Sequence, residues 1–421
     1  MRTFERWGLR MTVADLVSNV LGPDLPVAVR AYDGSHLGPD AAPATLVLRS
    51  PDALRRIATA PGELGLGRAY VAGDLDVEGD IFAALELRHR FPNISFTPSQ
   101  LVGMAKLLGP SALRPLPHPP GEARLRGRRH SPARDAAAIA HHYNVSNEFY
   151  ERLLGPSLTY SCAVWADPGV GLDAAQAAKH DLVCRKLALR PGMRLLDVGC
   201  GWGSMLLHAA QHYGVEAVGI TLSQAQADLA AKRIAEAGLT DFVTVRVQDY
   251  RDVRDGPFDA ISSIGMFEHV GLSKLDEYFS KLFVLLQPGG RLLNHAISRP
   301  WRPQRRTAFA RRGFIDRFVF PDGELMEVGS VVTAIQRAGF EARNMESLRE
   351  HYALTLLAWS ANLERGWEAA VADAGMARAR IWRLYIAASA VNFEDGNTQV
   401  HQVLAVKPDG GRSGMPLRPD F

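Results

Sequence analysis

The residues with the clearest chemical signature are Asp197-Val-Gly199-Cys-Gly201-Trp-Gly203, which run from the apolar stretch MRLLDV (193–198) into a helical pattern opening at Ser204. Glycines placed there let a chain turn tightly and bring its backbone against a ligand, at the carboxyl edge where open α/β sheets bind. The G-x-G-x-G spacing is not the dinucleotide fingerprint G-x-G-x-x-G, and the Gly-Lys-Ser/Thr of a phosphate loop is missing. Glu268 stands just past a second apolar run, where a carboxylate is costly without a purpose. Cys162, Cys184 and Cys200 are too few and too scattered for a disulfide framework or a zinc pattern. The spacing of Cys162, Glu268 and His295 fits no common metal-ligand set either.

The elements that must hold these residues follow from periodicity. Apolar strands are expected at 193–198, 215–221, 243–249, 258–265 and 289–297, alternating with helices from Ser204 and over 223–238. Buried strands between amphipathic helices mean an α/β fold with a doubly wound, mostly parallel sheet. Ser131-Pro132 reads as the cap of one helix running through AAAIAHHYNVSNEFYERLLG. Residues 1–104 read as a smaller α+β domain, with a strand at 44–50, a helix at 51–58 and a turn-rich segment at 65–80. A Pro-rich linker, 105–135, follows, and 136–421 form the second domain.

The chain has 421 residues, a soft prior of two to three domains at ~150 residues each. Its 47% hydrophobic and 22% charged residues exclude a largely disordered or fibrous protein. No run approaches the ~18 apolar residues of a spanning helix, and MRTFERWGLRMTVADL has neither the apolar core nor the cleavage site of a signal peptide. A net charge of +3 names no partner, but charge is local. Residues 106–134 carry seven Lys/Arg against one acid, and 299–317 carry seven arginines against one acid, interleaved with Trp301, Phe309 and Phe314. Each reads as a solvated segment or as a surface for anionic lipid; arginines with aromatics suit a headgroup interface. No nucleic-acid motif accompanies them, so nucleic acid is not expected as a partner.

The glycine turn resembles motif I of class I S-adenosylmethionine-dependent methyltransferases. Asp249 in QDYRD and the Gln287-Pro-Gly-Gly290 turn fall where that superfamily places an acid near the adenine and a late strand turn. The second strand ends in GITLSxxQ instead of an acid for the ribose, and Thr221 and Gln226 are the expected substitutes. The resemblance narrows with HHYNVSNEFYERLLGPSLTYSCAVW (141–165), LLDVGCGWGS, GITLSQAQ, SSIGMFEHVG (262–271), LLNHAIS (292–298) and LREHYALTLLAW (348–359), in that order. Together, over about 136–405, they resemble the cyclopropane fatty acid synthase and mycolic acid methyltransferase family.

That resemblance implies a class I methyltransferase fold and S-adenosyl-L-methionine as cofactor, with Tyr160, Ser161, Asp197, Gly199, Gly201, Gly203, Thr221, Gln226 and Asp249 holding it. It implies methyl transfer to a cis double bond of an acyl chain, leaving a carbocation that must lose a proton. Family members are held to use a bicarbonate ion as the base. Carried over, the ion's ligands are Cys162, Glu268, His295 and Tyr352, with backbone at Gly265 and Ile297. Phe267 is expected to face the cation and Trp202 to pack. Outside the resemblance each residue has a plainer reading: Cys162 as a small buried hydrophobe, His295 as a core histidine, Tyr352 as the polar end of an apolar cluster.

AYDGS (31–35), GFIDRFVFPDGEL (313–325) and NFEDGNTQVHQVLAVK (392–407) resemble the actinobacterial branch whose members make 10-methylene fatty acids, precursors of tuberculostearic-type acids. The expected substrate is an unsaturated acyl chain in membrane phospholipid. A separate reductase would saturate the methylene, and a homo-oligomer is left open. The enzyme is expected in the cytoplasm, peripheral at the inner face of the membrane. Cyclopropane formation on the same substrate, and methylation of a soluble small molecule, are the alternatives.

Overall fold

The computed structural model describes residues 11–90, 97–109, 114–124, 127, 131, 134–135, 137–138, 145–301 and 313–421. The chain folds as two compact units. One takes Met1–Ala123, Arg306–Val319 and Ala374–Ala388; the other takes Arg124–Arg305, Phe320–Asp373 and Ser389–Phe421. The division expected at residue 104 falls inside the helix Pro98–Leu108. Part of the expected linker belongs to the first unit: Glu122 is buried and pairs with Arg68 at 2.6 Å, and Ala123 donates its N–H to the Arg317 carbonyl at 2.7 Å.

In the first unit, β1 (Ala28–Ala31), β2 (His36–Leu37), β3 (Ala44–Leu48) and β4 (Leu75–Gly79) form a sheet in the order β2-β1-β3-β4. The helix Pro51–Thr59 starts where the Ser50 hydroxyl accepts the Asp52 N–H, with proline in the first turn, whose missing donor costs nothing there. The segment expected to be turn-rich at 65–80 is instead the helix Glu63–Ala72 followed by β4. Its glycines serve close packing: a Cβ on Gly65 would lie 2.2 Å from the Ala60 carbonyl oxygen, and one on Gly67 would lie 2.4 Å from the Phe314 ring.

The second unit is built on seven strands: β5 (Arg194–Val198), β6 (Glu216–Thr221), β7 (Val243–Val247), β8 (Phe258–Ile264), β9 (Leu286–Ser298), β10 (Glu341–Ser347) and β11 (Gln399–Val406). Their order is β10-β11-β9-β8-β5-β6-β7. β5 to β9 pair in parallel, while β11 runs antiparallel to both β9 and β10. This is the α/β class expected from the alternating pattern. Side chains on β5 alternate between two cores, Leu195 in one and Leu196 and Val198 in the other; Leu292 and Leu293 divide likewise on β9. The chain moves outward from β5 through β6 to β7, then returns to β8 on the other side of β5. That reversal is the switch point at which open α/β sheets form a crevice.

One expected helix is divided. A helix runs over Asn147–Leu154, capped by the Ser146 hydroxyl accepting the Phe149 N–H, and Ser146 itself is extended. No single helix therefore runs from Ser131 to Leu154. His141, His142, Tyr143 and Asn144 lie outside the described residues, as do residues 302–312 of the second basic cluster.

Candidate active site

The glycine turn sits at the switch point and forms one wall of a cleft. Gly199 and Gly201 line it together with Trp202, and both have left-handed backbone, φ +82° and +53°. The N–H groups of Gly199 and Cys200 bond back to the Ile220 carbonyl at 2.9 and 3.0 Å, tying the turn to β6. Gly203 does not line the cleft. Its φ is +81°, and a Cβ there would lie 3.2 Å from that of Ala230, so it starts the helix Ser204–Tyr213 and makes room for its neighbour.

The other expected cofactor residues, Tyr160, Ser161, Asp197, Thr221, Gln226 and Asp249, all line the cleft. Their hydrogen bonds differ from the simplest expectation. Thr221 donates to the Gln226 side-chain oxygen at 2.8 Å, so the two meet each other. Asp249 accepts from Arg251 through Nε at 2.8 Å and Nη2 at 2.7 Å. Burial raises its pKa, but the Arg251 hydrogen bonds outweigh that and hold it below the ordinary value. Asp197 is pushed up to about 6 by burial, against the hydrogen bond it accepts from Ser262 at 2.6 Å.

The expected reaction residues lie deeper. Of these, only Gly265 lines the cleft, and its N–H is used in the sheet, donating to the His295 carbonyl at 2.9 Å. The Ile297 N–H is used too: it donates to Glu268 Oε1 at 2.6 Å. Neither backbone amide expected to grip an anion is therefore available. The cause lies in the ladder. β8 stops at Ile264, opposite His295, and the chain then turns into the short helix Phe267–Val270, whose Glu268 caps the β9 amide beyond.

Glu268 Oε2 and His295 Nε2 are both buried and have no hydrogen-bond partner among the described residues. Burial pushes the Glu268 carboxyl up to about 7 and the His295 imidazole down to about 3. Glu268 thus exchanges its proton near neutrality, while His295 stays neutral. Cys162 is wholly buried, its thiol donating to the Ala163 carbonyl at 3.1 Å and reaching the Leu348 carbonyl at 3.6 Å. Burial raises its pKa well above the usual value, so it is a thiol. Tyr352, one turn beyond Leu348, packs on Phe393 with ring centroids 4.6 Å apart. Phe267 does not face the cleft; it is in the core against Phe279. Trp202 lines the cleft and donates from its indole to Asn147 at 3.1 Å.

Sequence reasoning passed over Lys179. It lies on the helix Leu172–Leu187, is 1% exposed, lines the cleft and donates to the Ser161 hydroxyl at 3.1 Å. Its ammonium acts electrostatically on Asp197, Cys162 and His295 alike. Burial lowers its pKa to about 8. The available signal was its spacing, since Ala175, Leu182 and Val183 share its helix face at i−4, i+3 and i+4.

The sequence model of the mycolic acid cyclopropane synthetase family matches residues 130–403. The chain belongs to this family. Across its length this member is 47% identical to a probable fatty acid methyltransferase of Mycobacterium tuberculosis, covering 94% of each chain. It is 33% identical to the cyclopropane-fatty-acyl-phospholipid synthase of Escherichia coli strain K12, over 86% of this chain and 88% of that one. Among solved structures, it is similar to mycolic acid cyclopropane synthase CmaA1 complexed with SAH and CTAB. The TM-score is 0.61 and the identity 35%, over 64% of this chain and 97% of that one. This member of the family is a C-methyltransferase with the class I fold, and the cleft at its switch point is where such a fold takes S-adenosylmethionine.

Proposed function

We propose that this enzyme methylates a cis double bond in the acyl chain of a membrane phospholipid and releases a 10-methylene chain. The observation that carries the reading is the buried, unpartnered pair Glu268 Oε2 and His295 Nε2 next to the ends of β8 and β9. A carbocation formed in a dry pocket must lose a proton to a group beside it, and buried groups with unused hydrogen-bonding capacity supply that need.

S-adenosylmethionine supplies an electrophilic methyl group when bound. The glycine turn, Tyr160 and Ser161 orient it, and Lys179 holds the Ser161 hydroxyl in place. Attack by the alkene carbon on that methyl would form one C–C bond as the methyl's bond to sulfur breaks, releasing S-adenosylhomocysteine and leaving the positive charge on the neighbouring carbon. A hydride shift from the methylated carbon then moves the charge, and loss of a proton from the new methyl leaves an exocyclic methylene. Closing the ring instead would give a cyclopropane, the product named for the Escherichia coli relative. The methylene reading draws on a 31% identical relative of Mycobacterium tuberculosis that is named a tuberculostearic acid methyltransferase. The proton goes to Glu268, directly or through a small oxyanion such as bicarbonate. Glu268 and His295 have the free acceptor and the free nitrogen that such an ion fits; Cys162 and Tyr352 would complete its surroundings.

The test is mass spectrometry of acyl chains after incubation of the purified protein with S-adenosylmethionine and oleoyl phospholipid vesicles, with ozonolysis to separate methylene from ring. A methylene chain is expected. A ring would make the enzyme a cyclopropane synthase, and no added carbon would refute a phospholipid substrate.

A further inference from the structure

A row of side chains crossing three strands leads to His295. In the sheet register Glu346 on β10 faces Gln402 on β11, and Gln402 faces His295 on β9. Paired residues on adjacent strands present their side chains to the same face. Lys186, 1% exposed on the helix Leu172–Leu187, joins this row: it pairs with Glu346 and donates to Gln402 Oε1 at 2.8 Å.

An ammonium group only donates, so the Gln402 atom facing Lys186 is the carbonyl oxygen. The amide is planar, and its NH₂ is thereby turned toward His295 Nδ1, 3.2 Å away. Nδ1 accepts that hydrogen bond and carries no proton. The imidazole is kept neutral by burial, helped by the positive charges of Lys179 and Lys186 and by His401. A neutral imidazole has one proton, which must therefore be on Nε2.

We infer that Lys186 and Gln402 are positioning residues that hold His295 as the Nε2–H tautomer, so that it presents a fixed hydrogen-bond donor to an oxyanion beside Glu268. The use of this donor rests on the reaction proposed above; the tautomer itself does not. A buried N–H without an acceptor is costly, and an anion's oxygen relieves that cost. The same tautomer denies a metal ion the lone pair it would need on Nε2.

The test is the ¹⁵N spectrum of histidine-labelled full-length protein, with His295 assigned by its loss in His295→Asn. In the unaltered protein Nε2 is expected to be the protonated nitrogen and Nδ1 the bare one. Gln402→Glu replaces the donor with a second acceptor and should move the proton to Nδ1, lowering turnover about 100-fold, as for loss of one preorganised donor, with S-adenosylhomocysteine affinity unchanged. Lys186→Met frees the amide to rotate and should leave both tautomers populated. A proton on Nδ1 in the unaltered protein would overturn the inference without any variant, as would an unmoved proton in Gln402→Glu. If the proton moves as expected but turnover of the unaltered enzyme is indifferent to added bicarbonate, the positioning role stands and the bicarbonate reading falls.

Discussion

Glu268 shows how far burial can shift one carboxyl. Its folded pKa of about 7 lies above the ordinary 4.5 because burial penalises the charge. With the pKa raised, this group's contribution to stability is complete below pH 4.5 and is lost as pH rises through 7, by an amount on the order of 3 kcal/mol. Glu268→Gln should therefore melt at a higher temperature than the unaltered protein at pH 8 and lose that advantage by pH 4.5. The same variant should retain S-adenosylhomocysteine binding by calorimetry while turnover falls at least about 100-fold. Lys179 runs the other way. Its pKa is lowered from 10.5 to about 8, first by burial, so its contribution is present above pH 10.5 and lost as pH falls through 8. Denaturant titrations of Lys179→Met should show a gain in stability at pH 7 that disappears by pH 10.5. Neither shift was legible in the sequence, because a titrating group's burial depends on which distant strands and helices surround it. Cys162, Glu268 and His295 could be singled out in the sequence as candidates; the capture of the Gly265 and Ile297 amides could not.

At the scale of elements, the periodic strands and the glycine turn could be read directly, since period-two burial and left-handed glycines are local properties. The exceptions share a cause. Gly65 and Gly67 looked like turn residues and proved to be contact points within a helix, because sequence does not say whether a missing Cβ serves the backbone or a neighbour. Ser146 looked like the interior of a helix and proved to be its cap. The turn itself offers a graded test. Gly199→Ala would place a methyl 3.2 Å from the Met266 Cβ on backbone at φ +82°, whereas Gly201→Ala meets nothing within 4 Å at φ +53°. Left-handed backbone costs an alanine about 1–2 kcal/mol, so Gly199→Ala should weaken S-adenosylhomocysteine binding about tenfold and Gly201→Ala by less. Equal losses in calorimetry would remove the steric argument.

At the scale of the molecule, the sequence suggests boundaries along the chain, whereas the two compact units are not continuous in sequence. The first unit recruits Arg306–Val319 and Ala374–Ala388, stretches that no linear reading assigns to it. Arg380 is the clearest case, with bonds to the Tyr70 carbonyl and the Asp76 carboxylate at 2.9 Å each. Among the described residues no helix is long and apolar enough to cross a membrane. The phospholipid substrate proposed above would be met at a membrane surface, for which the basic cluster around Arg305 and Arg306 is the sequence's candidate. Charge reversal of both should weaken flotation with anionic vesicles, most strongly at low salt, where screening is least. Binding indifferent to charge and salt would make that segment a bystander.

The three buried thiols make the enzyme its own stopwatch. Cys162 is in the candidate site, Cys184 on the helix behind it and Cys200 inside the glycine turn, and burial holds each pKa above the usual value. An alkylating reagent can reach such sulfurs only when the surrounding structure opens, so each labelling rate clocks one local opening event. Saturating S-adenosylhomocysteine should slow the clock at Cys200 and leave the one at Cys184 nearly unchanged, which would map on one gel how far the cofactor's grip extends through the fold.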